Sequence, residues 1–544
     1  MALILPLVFM CSSAAFAANG DLCGTNYVQK CDGTSANPYL ISDKADLEAF
    51  AGKTSSWVEL VADIDMNPGK QVLNEAGGLF DVAQALDRWT PIKSFNGHFD
   101  GRNHTIKGLF YYDITSDYAG LFGTVLSNGV VQNVGIIDSY FRGKDYVGGV
   151  AGKNEGTISG VYNTGSVIGE NYVGGVAGAI AFTYNSSNGA GKDSYIKEAK
   201  IINSYNKGVV SGTYYVGGVL GQSSIYLNDV LTRITEFSVQ IFIDNVYNTG
   251  AVSGTSYVGG VLGENNISTY IVDYAKDAKD EFEAAIGEFF NGVLTSSTSK
   301  ININNVYSTG TVSGTSYVGG VFGENIKDVT VSRKNVSSSS IIDIKDVYNT
   351  GSVNGTNDYI GGVVGKNESI YLSNAHNTGT VNGSSYVGGV VGESKYGEIK
   401  DVYNTGNVNA SGNNFGGVIG AENTTIAKKG FYNIDKCPAC KGAINGVDDK
   451  KNFVMGLSTS EFALQGIAYN IVFFDSDGKT VLKDDFVGYQ ETPVPPAVEL
   501  VKEDDDFYYS NPSWTPAITP ANRIAYYPRL GKGTKGCRNY REHG

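Results

Sequence analysis

One phrase returns nine times in this chain. Aligned on the aromatic residue of Tyr-Val-Gly-Gly and its variants, the copies fall at Tyr118, Tyr146, Tyr172, Tyr215, Tyr257, Tyr317, Tyr359, Tyr386 and Phe415. A second landmark, the aromatic position of Val-Tyr-Asn-Thr-Gly, stands at Tyr162, Tyr205, Tyr247, Tyr307, Tyr348, His376, Tyr403 and Tyr432. From this landmark to the next Tyr-Val-Gly-Gly aromatic the chain takes 10 to 12 residues, so that half of the repeat has an almost fixed length. The other half takes 16, 33, 32, 50, 31, 17, 17 and 17 residues. The short unit is therefore 26 to 29 residues, the span of one coil of a β-solenoid.

The spacing predicts an all-β fold, a parallel β-helix with corner insertions. Four consecutive coils carry 17, 16, 34 and 15 extra residues, all at one place in the unit. These insertions, 179–200, 222–243, 264–303 and 324–345, read as loops leaving one corner. The largest, from Tyr270, places Ile271, Ala275, Ala278, Phe282, Ala285, Ile286, Phe289 and Phe290 at helical spacing, which predicts an amphipathic helix. Within the unit, Val318 and Val321 are three apart and face one core only if the chain bends at Gly319 and Gly320. Val306 and Val312 fit inward positions, and the Asn-Thr-Gly between such valines, Ser308-Thr309-Gly310 in this copy, has turn chemistry. Stacked coils place like residues about 4.8 Å apart, so the Asn and Tyr positions form ladders, and about ten coils make a rod of ~50 Å. The 71 glycines among 544 residues suit the many tight turns this requires.

The first residues, MALILPLVFMCSSAAFAANG, combine an apolar run with a small-residue cleavage pattern, so 1–17 read as a signal peptide, although no basic residue precedes the run. Export permits disulfides, and two short-range pairs are expected, Cys23 with Cys31 and Cys437 with Cys440, leaving Cys537 over. A net charge of −14 argues against nucleic acid or an anionic membrane as a partner of the whole surface. Residues 18–117 are expected to form an N-terminal cap and first coils, 118–433 the repeat solenoid and 434–544 a C-terminal cap and tail. The closing GKGTKGCRNYREHG is polar and unlike the rest, and reads as a disordered end or as one cut or shifted out of frame.

YVGGVLG, YVGGVFG, YIGGVVG, YVGGVVG and the early YAGLFG resemble the GLUG motif, a short repeat of bacterial secreted and surface proteins. The motif occurs in filamentous-haemagglutinin-like adhesins and in repeat regions of immunoglobulin-A metallopeptidases. NPYLISDKADLEAFA, VADIDMN and WTPIKSFNGHFDGRNHTIKGLF resemble the segment that leads into such repeats, and YYPRL the one that closes them. The resemblance covers residues 37 to about 433 and implies a parallel β-helix in adhesion or surface binding, with no catalytic residue named.

Enzyme signals are few. His98, His104, His376 and His543 are the only histidines and no His-Glu-x-x-His occurs, so the peptidase motif is absent and no metal site is expected. His376, in a tyrosine position, reads as structural. Asp63 to Pro68 begins like a calcium loop, but Pro68 holds the glycine place and Asn74 that of the bidentate glutamate; calcium shared between stacked acids stays open. Glu264 and Glu324 hold one place in neighbouring coils, with Glu393 in a later one, and stacking brings the first two to about 5 Å, near the spacing of a retaining glycosidase pair. The leading expectation is a secreted or cell-surface adhesin-like protein whose corner binds a host or environmental glycan or surface protein, with Tyr184, Tyr226, Tyr270, Phe282 and Phe289 as candidate contacts. The alternative is a polysaccharide lyase or glycosidase working through Glu264 and Glu324.

Overall fold

The computed structural model describes residues 31–80, 85–185, 194–229, 235–271, 294–333, 336–441 and 454–459, and strands alone between 468 and 534. Strands dominate it, with one helix among the described residues, and those of the coils pair in parallel between successive coils. Each full coil contributes to four faces. The first face is a sheet of 17 strands, the second has nine, the third eight and the fourth ten. The third and fourth meet at the glycine pair, where Val318 and Val321 are both buried and the chain bends between them.

What makes those glycines necessary is a neighbouring side chain. A Cβ on Gly218, Gly320 or Gly362 would lie 2.3–2.5 Å from the carboxamide carbon of Asn248, Asn349 or Asn377, the asparagine of the Asn-Thr-Gly turn across the coil. Each such asparagine is buried and its Nδ2 donates to the carbonyl two residues on, as Asn206 to Gly208 at 2.8 Å, while its Oδ1 accepts from that residue's N–H at 3.2 Å. The same Nδ2 also donates to the equivalent Oδ1 one coil on, 2.9 Å from Asn163 to Asn206 and 2.8 Å from Asn206 to Asn248. The row resumes at Asn349, Asn377 and Asn404 with 2.9 and 2.8 Å bonds. A buried turn is thereby satisfied without water. Ser308 interrupts the row, and its hydroxyl is buried with no hydrogen-bond partner among the described residues.

Both ends of the solenoid are covered. A helix, Lys44–Phe50, is capped by the Asp43 carboxylate on the Asp46 N–H, and its Phe50 packs on Phe95 and Phe99 at 6.1 and 6.0 Å, sealing the first coil. This helix was missed in the sequence, where the signal was Asp43 followed by Leu47 and Phe50 three residues apart. At the other end Cys437 and Cys440 form a disulfide, and the Gly417 N–H donates to the Lys441 carbonyl at 2.8 Å. Here the repeat slips by one: Phe431 takes the ladder position expected of Tyr432, and Tyr432 takes the asparagine position, its hydroxyl donating to the Cys440 carbonyl at 3.0 Å. Cys23 lies outside the described residues, so its expected bond to Cys31 does too. The strands between 468 and 534 form a separate five-stranded, mostly antiparallel sheet.

The insertions are not loops. In each of the four coils the fourth-face strand runs on outward and the first-face strand returns beside it, as Leu220–Asp229 with Glu236–Asn248 and Leu262–Ile271 with Ser296–Ser308. The reason is alternation: Ile225 and Leu227 on one strand, and Phe237, Val239, Ile241 and Ile243 on the other, are all buried between the two layers. The result is a two-layered fin, four coils tall, projecting from the rod. Tyr270 and Ile271 belong to its strands rather than to a helix, and residues 272–293 lie outside the description. Arg333 closes the fin's tip. Its guanidinium, fully buried, donates to the Asp229 carboxylate at 2.8 Å and to the Asp229 carbonyl at 3.1 Å, reaching back across the intervening coil.

Ser308→Asn completes the buried row, because Gly260 leaves the same space for it that the other glycines leave for theirs. It is expected to stabilise the protein by about 1 kcal/mol, read as a rise in the urea midpoint at unchanged slope.

Candidate functional site

The outer side of the fourth face is continuous with the outer side of the fin, and the tyrosines of the third face border it. Their rings form an unbroken ladder from Tyr118 to Tyr386, with centroids 4.6–5.0 Å apart. Each tyrosine has a left-handed backbone, φ between 53° and 64°, and the sheet register skips it. That conformation costs a non-glycine residue roughly 1–2 kcal/mol, and it turns the ring out of the strand to lie on its neighbours. Because the rings cover one another's faces, only edges and hydroxyls reach solvent along the row, so the ladder offers no open ring for a sugar to stack on. A second ladder runs from Tyr162 to Tyr403 on the first face, with His376 stacked between Tyr348 and Tyr403 at 5.0 and 4.7 Å.

Beside the first ladder lies the acidic row. Gln222, Glu264, Glu324, Lys366 and Glu393 follow one another in register on five successive coils. Glu264 and Glu324 are thus direct neighbours, but they are 6% and 5% exposed. The Gln222 amide donates to Glu264 at 2.6 Å. Lys366 bridges Glu324 at 2.9 Å and Glu368 at 3.0 Å, and its ammonium lies 5.8 Å from the Tyr317 ring centre. Burial pushes the Glu264 carboxyl up to about 7 despite the Gln222 hydrogen bond, and the Glu324 charge adds to the rise. Burial also raises Glu324, against the pull of Lys366. Burial, then Glu324, push the Tyr257 phenol up to about 12, so it stays neutral at physiological pH. The pair has the register of a glycosidase dyad without the access one needs: two carboxylates must flank a bound sugar, and these are tucked beside phenol rings and tied to an amide and an ammonium. An open groove of about 750 Å³ at the C-terminal end, lined by Thr356, Asn382, Asn409, Ser411, Phe415 and Pro438 among others, contains no acid. Among the described residues no cluster of three metal-binding side chains occurs.

Further out, the fin's face is mostly polar with two aromatic residues on it. Ser224, Asn266 and Ile326 form one row, Tyr226, Ser268 and Asp328 the next, and Asn228, Tyr270 and Thr330 the last. Tyr226 is 39% and Tyr270 44% exposed, and among the described residues neither ring stacks on another. Tyr226 sits opposite Ser268, which puts Tyr270 two residues along the adjacent strand, a diagonal spacing of about 7–8 Å. Tyr184 does not join them. It is buried inside the fin, 5.3 Å from the Tyr195 ring and 6.2 Å from that of Phe237, because it falls on the inward phase of its strand. Phe282 and Phe289 lie outside the described residues.

Residues 383–409 match the GLUG motif family. The chain carries the GLUG motif. It is similar to part of halomucin from Haloquadratum walsbyi, 34% identical over 146 residues, which is 26% of this chain and 2% of that protein. It is also similar to a provisionally named Gly-rich membrane protein of Evansella cellulosilytica, 31% identical over 140 residues, 24% of this chain and 15% of the relative. The chain therefore spans only a small part of the length of either relative. Among solved structures, one from Bacteroides ovatus provisionally described as an immunoglobulin A1 protease aligns at 19% identity and a TM-score of 0.37, over 63% of this chain and 84% of that one. No helix among the described residues is long and apolar enough to cross a membrane.

The raised Glu264 pKa has a consequence for stability with a definite sign. Folding favours the protonated carboxyl, so its contribution is full below about pH 4.5 and is lost as pH rises through about 7. The loss amounts to about 3 kcal/mol at most. Urea denaturation of the wild type and of Glu264→Gln at pH 5 and pH 8 is expected to show the pH-dependent loss in the wild type and its reduction in the variant.

Proposed function

We propose that this chain is a secreted or cell-surface, adhesin-like binding protein that holds glycan on the outer face of its fin. The observation that carries the reading is the pair Tyr226 and Tyr270. They are the exposed, unstacked rings on a β-surface that otherwise carries mainly Asn, Ser, Thr and Asp side chains, with Ile326 among them. Open phenol faces suit the apolar faces of sugar rings, and amides and hydroxyls at fixed spacing suit their hydroxyl groups. Four coils of paired strands hold the two rings on stiff backbone, so little ordering cost accompanies binding. The names of the two curated relatives, a mucin-like name and a membrane protein, fit a place at the cell surface.

The rival reading is glycan cleavage at Glu264 and Glu324, favoured by their register and by the raised pKa of Glu264. Their burial beside the tyrosine ladder speaks against it.

One experiment separates the two: the purified protein on an array of immobilised glycans and matrix proteins, with detection of released products on the same glycans. Selective glycan binding without turnover is expected. Tyr226→Ala with Tyr270→Ala is expected to weaken it at least tenfold while leaving the melting temperature within a few degrees, since both side chains stand on the surface. Undiminished binding in the double variant would remove the fin face from consideration, and product release lost in Glu264→Gln with Glu324→Gln would replace binding by catalysis.

A further inference from the structure

The fin is shorter than the rod that carries it, so each of its sheets stops at an edge beside the compact coils. Toward the C-terminus the strand Phe322–Val331 pairs with the next coil only as far as Ile326, opposite Glu368. Lys327–Val331 therefore present one side of their backbone with no strand on it among the described residues. The inward positions here are unlike those of the coil beneath. Thr269 and Ile271 are buried, whereas Val329 and Val331, stacked on them, are 40% and 36% exposed. Between them and the rod stands Lys327, in the row that Ile225 and Ile267 occupy within the fin. It is half-buried, burial lowers its pKa, and no carboxylate lies within ion-pair distance among the described residues. The opposite edge differs. There the inward Lys197 donates to the Ser127 hydroxyl of the preceding turn at 2.9 Å, and Tyr195 stacks on Phe237 at 5.4 Å.

We propose that the Lys327–Val331 edge is a strand acceptor for an extended, acidic segment of a partner protein. Unpaired backbone groups along an edge are satisfied best by another main chain, which gives affinity, while the inward side chains select the sequence. Val329 and Val331 ask for apolar residues on alternate positions, and the Lys327 ammonium asks for a carboxylate between or beside them. The same lysine tells against a second copy of this edge as the occupant, because antiparallel self-pairing would enclose two ammonium groups in one apolar layer with no counter-charge. It also rejects neutral strands, so the edge is selective rather than generally adhesive.

The test uses fluorescein-labelled seven-residue peptides in which Thr and Val alternate and the central inward residue is Glu, Gln or Lys, titrated against the full chain by fluorescence anisotropy. The Glu peptide is expected to bind at least tenfold more tightly than the Lys peptide. Lys327→Glu should invert that order, and Lys327→Met, which keeps the bulk and removes the charge, should erase it. Circular dichroism checks that both variants fold. No binding of any peptide, equal binding of all three, or an order unchanged by both variants would overturn the proposal. A concentration-dependent dimer in sedimentation that Lys327→Glu abolishes would assign the edge to a second copy and overturn it equally.

Discussion

Parallel hydrogen bonding between one coil and the next governs everything else in this protein. It sets a rise of about 4.8 Å and an exact residue-to-residue register, and once both hold, each side chain lies against its own equivalent in the neighbouring coil. A residue type that stacks well on itself is then favoured at every turn of the solenoid. Tyrosine does so by ring contact, asparagine by a chain of amides, and valine by filling the shared core. A residue that repels its own kind is either interleaved, as Lys366 is between Glu324 and Glu393, or held at a shifted pKa, as Glu264 is beside Glu324.

The two landmark motifs serve one another across the coil. The turn asparagine needs a glycine opposite, and where the asparagine is replaced, by Ser308 or Tyr432, the facing glycine, Gly260 or Gly417, is still there. The tyrosine before the glycines carries the backbone strain of the corner. Its left-handed conformation is retained eight times because the ring, once turned out, is held by its neighbours in the ladder, two for each of the six inner tyrosines and one at either end. Those stacked rings and the bordering carboxylates form a stabilised seam. The fin beyond it has the exposed rings of Tyr226 and Tyr270, and the proposed binding face lies there.

Much of this was legible in the residues. Coil length, the number of repeats, the bend at the glycines, both ladders, and the neighbour relation of Glu264 and Glu324 all follow from spacing, because in a solenoid spacing is register. What escaped was of a different kind. The insertions share no text with one another, so they looked like loops, yet Phe237, Val239, Ile241 and Ile243 alternate as strand residues do. Reading that period would have revealed the fin, and the phase of Phe182, Ile225 and Leu227 on the outgoing strands would have sent Tyr184 inward and Tyr226 outward. Burial of the glutamates depends on how a neighbouring ring leans, and the small helix at Lys44–Phe50 depends on an open coil end needing a plug. Neither is written in the repeat.

The buried pair of Asp229 and Arg333 changes how such a rod can come apart. A solenoid whose coils touch only their neighbours unzips coil by coil, each loss being local. Arg333 instead joins the fourth coil of the fin to the second, over the top of Ile271 in the third. Peeling away the fourth coil would strip a buried carboxylate of its cation two coils below. The last three coils of the fin are thereby tied to one another by more than nearest-neighbour contacts.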